Sequence, residues 1–163
     1  MKKTMKIIIS LLFIFLTLLI IFYFMVVSPK KYEKDGLIFK LPHDFVDKGT
    51  FYSKEYSSNI FSSSKVYCSV NIESDNYTEQ SYNYELDFLI KYYKSTKQTK
   101  QINGVNWDYI SGTRDGVHNS FTEDIYLIPS NSKYYKVTII NADDTPCSLK
   151  DINTIVNSLK IKK

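Results

Sequence analysis

The sequence is poor in the residues that nucleic-acid sites use most. It has 20 lysines but a single arginine, Arg114. Because the planar guanidinium is the preferred reader of phosphates and guanine edges, one arginine argues against nucleic-acid binding. The formal net charge of +4 does not alter this, since the chain after residue 28 carries 18 basic and 17 acidic residues. The basic excess belongs to the N-terminus, and we predict no nucleic-acid partner.

Motifs for catalysis and cofactor binding are also missing. With five glycines the chain offers no Gly-rich phosphate loop, and His43 and His118 stand in no recognised catalytic arrangement. The neighbours Glu123 and Asp124 would point to opposite faces of a strand, and Asp143-Asp144 lacks the spacing of a calcium loop. We predict a protein that is not an enzyme, with no catalytic residue, metal or cofactor.

Cysteine is scarce, because Cys68 and Cys147 are the only two. Two cysteines make neither a disulfide framework nor a zinc site by themselves. In an extracytoplasmic domain they could form one bridge. Two independent buried thiols are the favoured interpretation, because Cys68 lies on the apolar face of a predicted strand and a free cysteine packs well there.

A long apolar run dominates the N-terminus. Residues 7–27 contain no charge, glycine or proline, and as a helix they would measure about 31 Å, against a hydrocarbon core of about 30 Å. Ser28-Pro29 ends such a helix, because proline cannot donate the next backbone hydrogen bond. This predicts a short basic tail at 1–6 and a transmembrane signal-anchor helix at 7–28.

A cleaved secretory signal is the alternative, but the run exceeds the usual ~7–15 residues and no small-x-small cleavage site follows it. Three lysines precede the run and three follow it closely, so the positive-inside rule barely decides orientation. A short N-terminal tail before such a helix most often stays on the cytoplasmic side of the membrane. We therefore predict a single-pass protein of the cell membrane with its soluble domain on the extracellular side.

The remainder suits one soluble domain at 36–163 behind a juxtamembrane linker at 29–35. Residues 36–42 predict a short strand, and alternation between Val66 and Glu73 predicts a half-buried one. The serine-rich stretch 53–64 is typical of a loop or a weak edge hairpin. Leucine and isoleucine at helical spacing predict a helix over 84–97.

Turn signals organise the second half. Asn103-Gly104 predicts a tight hairpin, and Asp115-Gly116 repeats the pattern before strands at 117–128 and 134–140. Ser148 with Asp151 predicts a capped final helix, whose apolar stripe is Leu149, Ile152, Ile155, Val156 and Leu159. The fold class is α+β: after the transmembrane helix, an antiparallel sheet with helices packed on it, in the order β-β-α-β-β-β-α.

This order, with the strand motif Phe39-x-x-Pro42 and the hairpin Ile102-Asn103-Gly104-Val105-Asn106-Trp107, resembles the PsbP/DcrB-like superfamily over residues 36–163. Members include photosystem extrinsic subunits, bacterial lipoproteins and secretion-effector chaperones. The resemblance implies binding or scaffolding rather than a reaction, and it carries over no functional residue. A spanning helix stands where bacterial relatives often have a lipidated cysteine. Cystatin-like and nuclear-transport-factor-like folds are the structural alternatives.

The aromatic content is high, with 14 tyrosines and 10 phenylalanines. Tyrosine gives a large contact area at a low entropy cost, which suits an interface. We predict a partner-binding set of Tyr77, Tyr82, Tyr84, Tyr92 and Tyr134; the alternative is that these are ordinary amphipathic residues of sheet and helix.

The Lys-, Ile-, Asn- and Tyr-rich composition is typical of AT-rich bacterial coding. The hypothesis is a non-enzymatic, membrane-anchored extracytoplasmic binding or accessory module of a bacterial envelope that engages a protein partner. The alternative is a small-ligand sensor or hydrolase with a pocket between sheet and helix, which would recruit His118, Asp124 or Asp108.

Overall fold

The computed structural model describes residues 2–26, 28–56, 65–115, 120–142 and 147–162. Helix α1 spans Lys2–Val26, and its stretch Lys6–Phe24 is long and apolar enough to cross a membrane. The hydroxyl of Thr17 donates to the carbonyl oxygen of Ile14 at 2.8 Å, so this polar group is satisfied within the helix. Such a helix fits a membrane span or a signal sequence. Val27, the last residue of the apolar run, lies outside the described residues.

The rest of the described chain alternates between strands and two helices. In chain order they are β1 Lys30–Lys34, β2 Leu37–Leu41, β3 Val46–Asp47, β4 Phe51–Tyr56, β5 Lys65–Asn76, α2 Glu79–Tyr93, β6 Gln98–Ile102, β7 Val105–Asp115, β8 Ser120–Pro129, β9 Lys133–Ala142, α3 Leu149–Val156 and β10 Lys160–Ile161. This confirms the α+β class. The predicted order contained too few strands, since within the described ranges five precede α2, four separate the helices and one follows α3.

The strands form two antiparallel sheets. The large sheet has the order β3-β4-β5-β9-β8-β7-β6, and the small sheet has the order β1-β2-β10. Because side chains alternate along a strand, the large sheet has two different faces. One face packs against the small sheet and α3 around Phe39, Trp107 and Ile155. The other face packs against α2 around Leu86, Ile110 and Ile125. The domain therefore has three layers, with the large sheet in the middle.

The predicted linker at 29–35 is wrong for residues 30–34, which form β1 and pair with the whole of β2. Asp35 and Gly36 have φ of 54° and 94°, the positive values that a two-residue hairpin requires. The Asp35-Gly36 pair was a sequence signal for this hairpin. It was missed because the strand before it is mostly lysine and shows no apolar alternation. The domain therefore starts at Lys30, and only three residues separate it from the end of α1 at Val26.

The first domain helix begins earlier than predicted. It spans Glu79–Tyr93 instead of 84–97. Thr78 is its N-cap: the Thr78 hydroxyl accepts from the Ser81 amide at 3.0 Å, and the Ser81 hydroxyl accepts from the Thr78 amide at 3.1 Å. Polar residues fill the first turn, so hydrophobic spacing alone missed it. Lys94, with φ of 48°, ends the helix in the left-handed region.

The predicted Asn103-Gly104 hairpin and the predicted capped final helix are both largely confirmed. Asn103 and Gly104 have φ of 49° and 77° and close the β6–β7 hairpin. The Asn103 amide also donates to the carbonyl oxygen of Leu159 at 2.9 Å, which ties this turn to the C-terminal segment. Ser148 caps α3 by accepting from the Asp151 amide at 3.1 Å. The apolar stripe was wrong at Leu149, which is 80% exposed.

Two further predictions fall partly outside the described residues. Gly116 of the predicted Asp115-Gly116 turn lies outside the described residues, although Asp115 pairs with Ser120 and the flanking strands are antiparallel as predicted. The serine-rich stretch 53–64 is a strand over its first four residues, in β4, and its remainder at 57–64 is outside.

Cys68 and Cys147 form a disulfide, so the favoured interpretation of two separate thiols is wrong. Both residues are buried, as that interpretation assumed. Asn141, the partner of Cys68 on β9, accepts a hydrogen bond from the Cys147 amide at 2.8 Å, and this brings the second cysteine back over the sheet. Spacing in the sequence gave no sign of this, because 79 residues separate the two cysteines.

Replacing both cysteines (Cys68→Ser with Cys147→Ser) should lower the free energy of unfolding by about 2–5 kcal/mol, because a long loop in the unfolded chain is no longer closed. Denaturant titration of the full chain in detergent micelles measures this. A reducing agent should shift the midpoint of the unaltered protein equally and leave the double variant unchanged. An unchanged midpoint for the reduced protein would contradict the prediction.

Candidate binding surface along helix α2

The five predicted tyrosines separate into an exposed group and a group packed around Tyr82, in which Tyr77 is half-buried. Tyr82 and Tyr134 are 7% and 9% exposed, with ring centroids 5.8 Å apart, and Tyr77 packs against Tyr82 at 6.0 Å. The Tyr82 hydroxyl donates to the Asp108 carboxylate at 2.7 Å. These three residues help to fasten α2 to the sheet. Tyr82 and Tyr134 are therefore core residues, and only the exposed tyrosines keep the predicted role.

The exposed group forms a row along the outer side of α2. Tyr84 is 74% exposed and Tyr92 is 51% exposed, and Phe88 between them is 50% exposed. Spacings of four residues place the three rings on one side of a helix. The Phe88 and Tyr92 rings stack with centroids 5.7 Å apart. We call Tyr84, Phe88 and Tyr92 the aromatic row. Phe88 was missed because only tyrosines were considered, although its i+4 spacing was readable.

A groove runs beside the aromatic row, between α2 and the strands β5, β9 and β8. It holds a cavity of about 270 Å³ whose lining includes Phe88, Tyr92, Glu123 and Lys136. A second depression, which shares Lys136, continues toward Asp35 and has a volume of about 650 Å³. The walls combine aromatic rings with charges of both signs, a composition suited to a polypeptide carrying both apolar and polar groups.

Lys136 is the central cation of the groove. Its ammonium lies 2.7 Å from the Glu73 carboxylate and 2.8 Å from the Glu85 carboxylate, which links β9 to β5 and to α2. Burial lowers the pKa of Lys136, but its hydrogen bonds to Glu73 and Glu85 outweigh that effect, so the pKa lies above its ordinary value. Lys136 is thus charged at neutral pH and fixed in position.

Glu123 is the buried acid of the groove, at 6% exposure. One carboxylate oxygen accepts from the Tyr93 hydroxyl at 2.5 Å. The other lies 3.1 Å from the Arg114 guanidinium as an ion pair, without the geometry of a hydrogen bond. Burial is the main cause that raises the pKa of Tyr93, and the hydrogen bond to Glu123 raises it further. The ring of Tyr93 fits here because Gly112 lies beneath it: a Cβ there would be 2.5 Å from the Cβ of Tyr93.

The structure does not bring together the residues expected of a sensor or hydrolase. Asp108 pairs with Leu127 on the α2 face of the large sheet, whereas Asp124 pairs with Ile139 on the opposite face. Each also accepts from a tyrosine, Asp124 from the Tyr109 hydroxyl at 2.6 Å. His118 lies outside the described residues, as does Asp143-Asp144. No group of three or more His, Cys, Asp or Glu side chains that could hold a metal occurs in the part of the chain that the structure describes.

Comparison with known proteins gives a fold relative only. No protein-family model and no curated protein matches the chain. A crystal structure of a protein from Bacteroides thetaiotaomicron VPI-5482 is similar, with a TM-score of 0.56 and 13% sequence identity over 82% of this chain. The match covers 48% of that protein, so this chain spans about half its length. Similarity at this identity shows a shared fold and nothing about activity.

The tyrosines predict a loss of stability at alkaline pH. Burial and the hydrogen bond to Asp124 raise the pKa of Tyr109 to about 12, and burial also raises the pKa of Tyr82 and Tyr126. In the unfolded chain these hydroxyls ionise near pH 10. Above that pH the unfolded state binds fewer protons than the folded state, so the free energy of unfolding falls as the pH rises toward 12 and beyond.

Urea titrations in micelles at a series of pH values above 9 measure this loss, and tyrosinate absorbance identifies its source. We expect part of the absorbance to rise near pH 10 and the rest only with unfolding. In concentrated guanidinium all tyrosines should titrate together. Native protein that titrates in the same single step would contradict the assignment.

Proposed function

We propose that this protein is a non-enzymatic, single-pass membrane protein whose extracytoplasmic domain binds a protein partner through the aromatic row of α2. The observation that carries the proposal is the exposure of three large aromatic rings side by side on one helix. A single exposed ring is unremarkable in a soluble domain, but a contiguous group is typical of an interaction site. Tyrosine is also one of the residue types enriched at the hot spots that carry most of the binding energy of protein interfaces.

The surroundings of the row support a protein partner. Asp87 and Lys91 are exposed on α2 beside the rings and offer the polar rim that interfaces have. The neighbouring groove adds charges that are held by their own partners, above all Lys136 between two carboxylates. Fixed charges favour one arrangement of partner groups over others, which gives specificity more than affinity. A binding role also agrees with what the PsbP/DcrB-like resemblance implies.

Helix α1 supports the membrane part of the proposal. Its length and its lack of charge suit a retained anchor, and α1 offers no small-residue packing motif and no charged residue within 7–26. Anchoring is therefore its proposed role. The Cys68–Cys147 disulfide supports an extracytoplasmic domain, because disulfides persist in oxidising compartments.

A photo-crosslinking amino acid placed at position 84, 88 or 92 should give the same discrete adduct in native membranes. Val105 is the matched control position, because it is also apolar and is 45% exposed, but lies on β7 away from α2. The variant Phe88→Ser should abolish the adduct formed from position 84 and leave the melting temperature unchanged, since Phe88 is half exposed. Adducts that are equally frequent at position 105, or diffuse at all positions, would contradict the proposal.

Retention and orientation have a separate test. The protein from membranes should withstand alkaline carbonate extraction, and intact-mass measurement should find residues 7–27 still present. A membrane-impermeant amine reagent should modify exposed domain lysines such as Lys91 and Lys94 on intact cells. Modification only after lysis would place the domain inside, and a shortened mass would identify a cleaved signal.

A further inference from the structure

We propose that the outer face of the small sheet rests on anionic lipid headgroups and thereby turns α2 away from the membrane. This inference rests on the membrane anchor of the proposed function, and it assigns a partner surface to a different part of the domain. The surface consists of Lys31, Lys40, Lys160 and Lys162 with Glu33, and we call it the basic face.

Alternation along the strands defines the basic face. Leu37, Phe39 and Leu41 of β2 are fully buried against the large sheet, so Ile38 and Lys40 point outward. Pairing between strands extends this outward side. Lys31 is opposite Lys40, and Lys160 is opposite Ile38. The four lysines of the basic face are all exposed.

The charge of the basic face differs from that of the rest of the domain. It has four lysines and one acid, and Glu33 is itself paired with Lys162 at 2.8 Å. Among the described residues, no ion pair neutralises Lys31, Lys40 or Lys160. The chain after residue 28 has 18 basic and 17 acidic residues, so outside this face 14 basic residues stand against 16 acidic ones. The basic charge is therefore concentrated on one sheet face.

The chain places this face close to the bilayer. Helix α1 ends at Val26 and β1 begins at Lys30. Four residue steps reach at most about 14 Å, and the headgroup layer on each side of the hydrocarbon is roughly 5–8 Å thick. Adjacent strands lie about 4.8 Å apart, so β10 is only about 10 Å from β1. Since attraction between lysine and anionic lipid decays over a Debye length of about 8 Å, a face this near the surface experiences it strongly.

The three-layer fold gives the contact a consequence. The small sheet covers one face of the large sheet, and α2 covers the other. A domain that lies on its basic face therefore presents the aromatic row to the aqueous side, where a protein partner could reach it. The rival arrangement, in which Tyr84, Phe88 and Tyr92 enter the lipid interface, would point the lysines away from the membrane.

Lysine acetylation of the full chain in nanodiscs tests the orientation. The discs contain either phosphatidylcholine alone or phosphatidylcholine mixed with phosphatidylglycerol, and peptide mass spectrometry measures the rate at each lysine. We expect severalfold slower modification of Lys31, Lys40 and Lys160 in the anionic discs, reversed by high salt. Lys91 and Lys94, exposed on and just after α2, serve as internal controls and should react equally in both.

Two matched variants sharpen the result. Lys31→Gln with Lys40→Gln should restore the reactivity of Lys160 in anionic discs, whereas Lys91→Gln with Lys94→Gln should leave its protection intact. Equal rates in both lipids, or protection of Lys91 and Lys94 instead, would overturn the inference while leaving the anchor and the partner site standing. A chain that does not enter the discs at all would overturn the anchor and this inference together.

Discussion

A shift of one residue between β5 and β9 would turn the side chains of β9 to the opposite face of the large sheet relative to β5. Nine residue pairs, from Cys68 opposite Asn141 to Asn76 opposite Lys133, set this register at the centre of the sheet. In this register Val137 and Ile139 enter the larger core, while Lys136 and Thr138 face α2. A shifted register would bury the ammonium of Lys136 among apolar side chains, which is prohibitively unfavourable without its carboxylates. Both the core and the groove depend on this register.

The disulfide and its neighbours reinforce the same register from outside the strands. Cys68 lies on β5 and Asn141 lies opposite it on β9, and Cys147 is bound covalently to the first and by a hydrogen bond to the second. The crosslink therefore holds the segment before α3 to one defined pair of the ladder. Helix α3 in turn buries Ile155 in the larger core. Local backbone pairing and a long-range covalent bond thus specify the same arrangement.

Sequence patterns predicted the parts of the fold whose signals are local. The Asn103-Gly104 hairpin and the Ser148 cap were readable, because the physical requirement of each falls on two to four adjacent residues. Strand β1 was not readable from the sequence, because four of its five residues are charged. It is also an edge strand, which needs no apolar alternation on both sides. The start of α2 was missed for a related reason, since its first turn is held by Thr78 and Ser81 and not by hydrophobic contacts.

The candidate site was less predictable than the fold, because its features come from distant segments. Glu123 is buried where Tyr93 of α2 and Arg114 of β7 contact it, and Tyr93 fits there because the adjacent strand has Gly112. Composition singled out tyrosine but could not separate a ring that fastens α2 from one that faces solvent. Helical phase does separate them: Tyr82 and Leu86 lie on the inner side of α2, and Tyr84 and Phe88 lie on the outer side. Correct helix limits would have made that distinction readable, so the error in the start of α2 carried over into the site.

The layers also explain why one small domain can hold two surfaces of opposite character without conflict. Basic residues on the small sheet and aromatic residues on α2 are separated by the whole thickness of the large sheet, so a contact at one surface leaves the other accessible. Neither surface contributes to the cores, whose buried residues point inward from both outer layers. The short connection between α1 and β1 then matters more than its three residues suggest. A long flexible linker would let the domain rotate freely, whereas a connection this short restricts which faces of the domain can approach the bilayer that α1 is proposed to span.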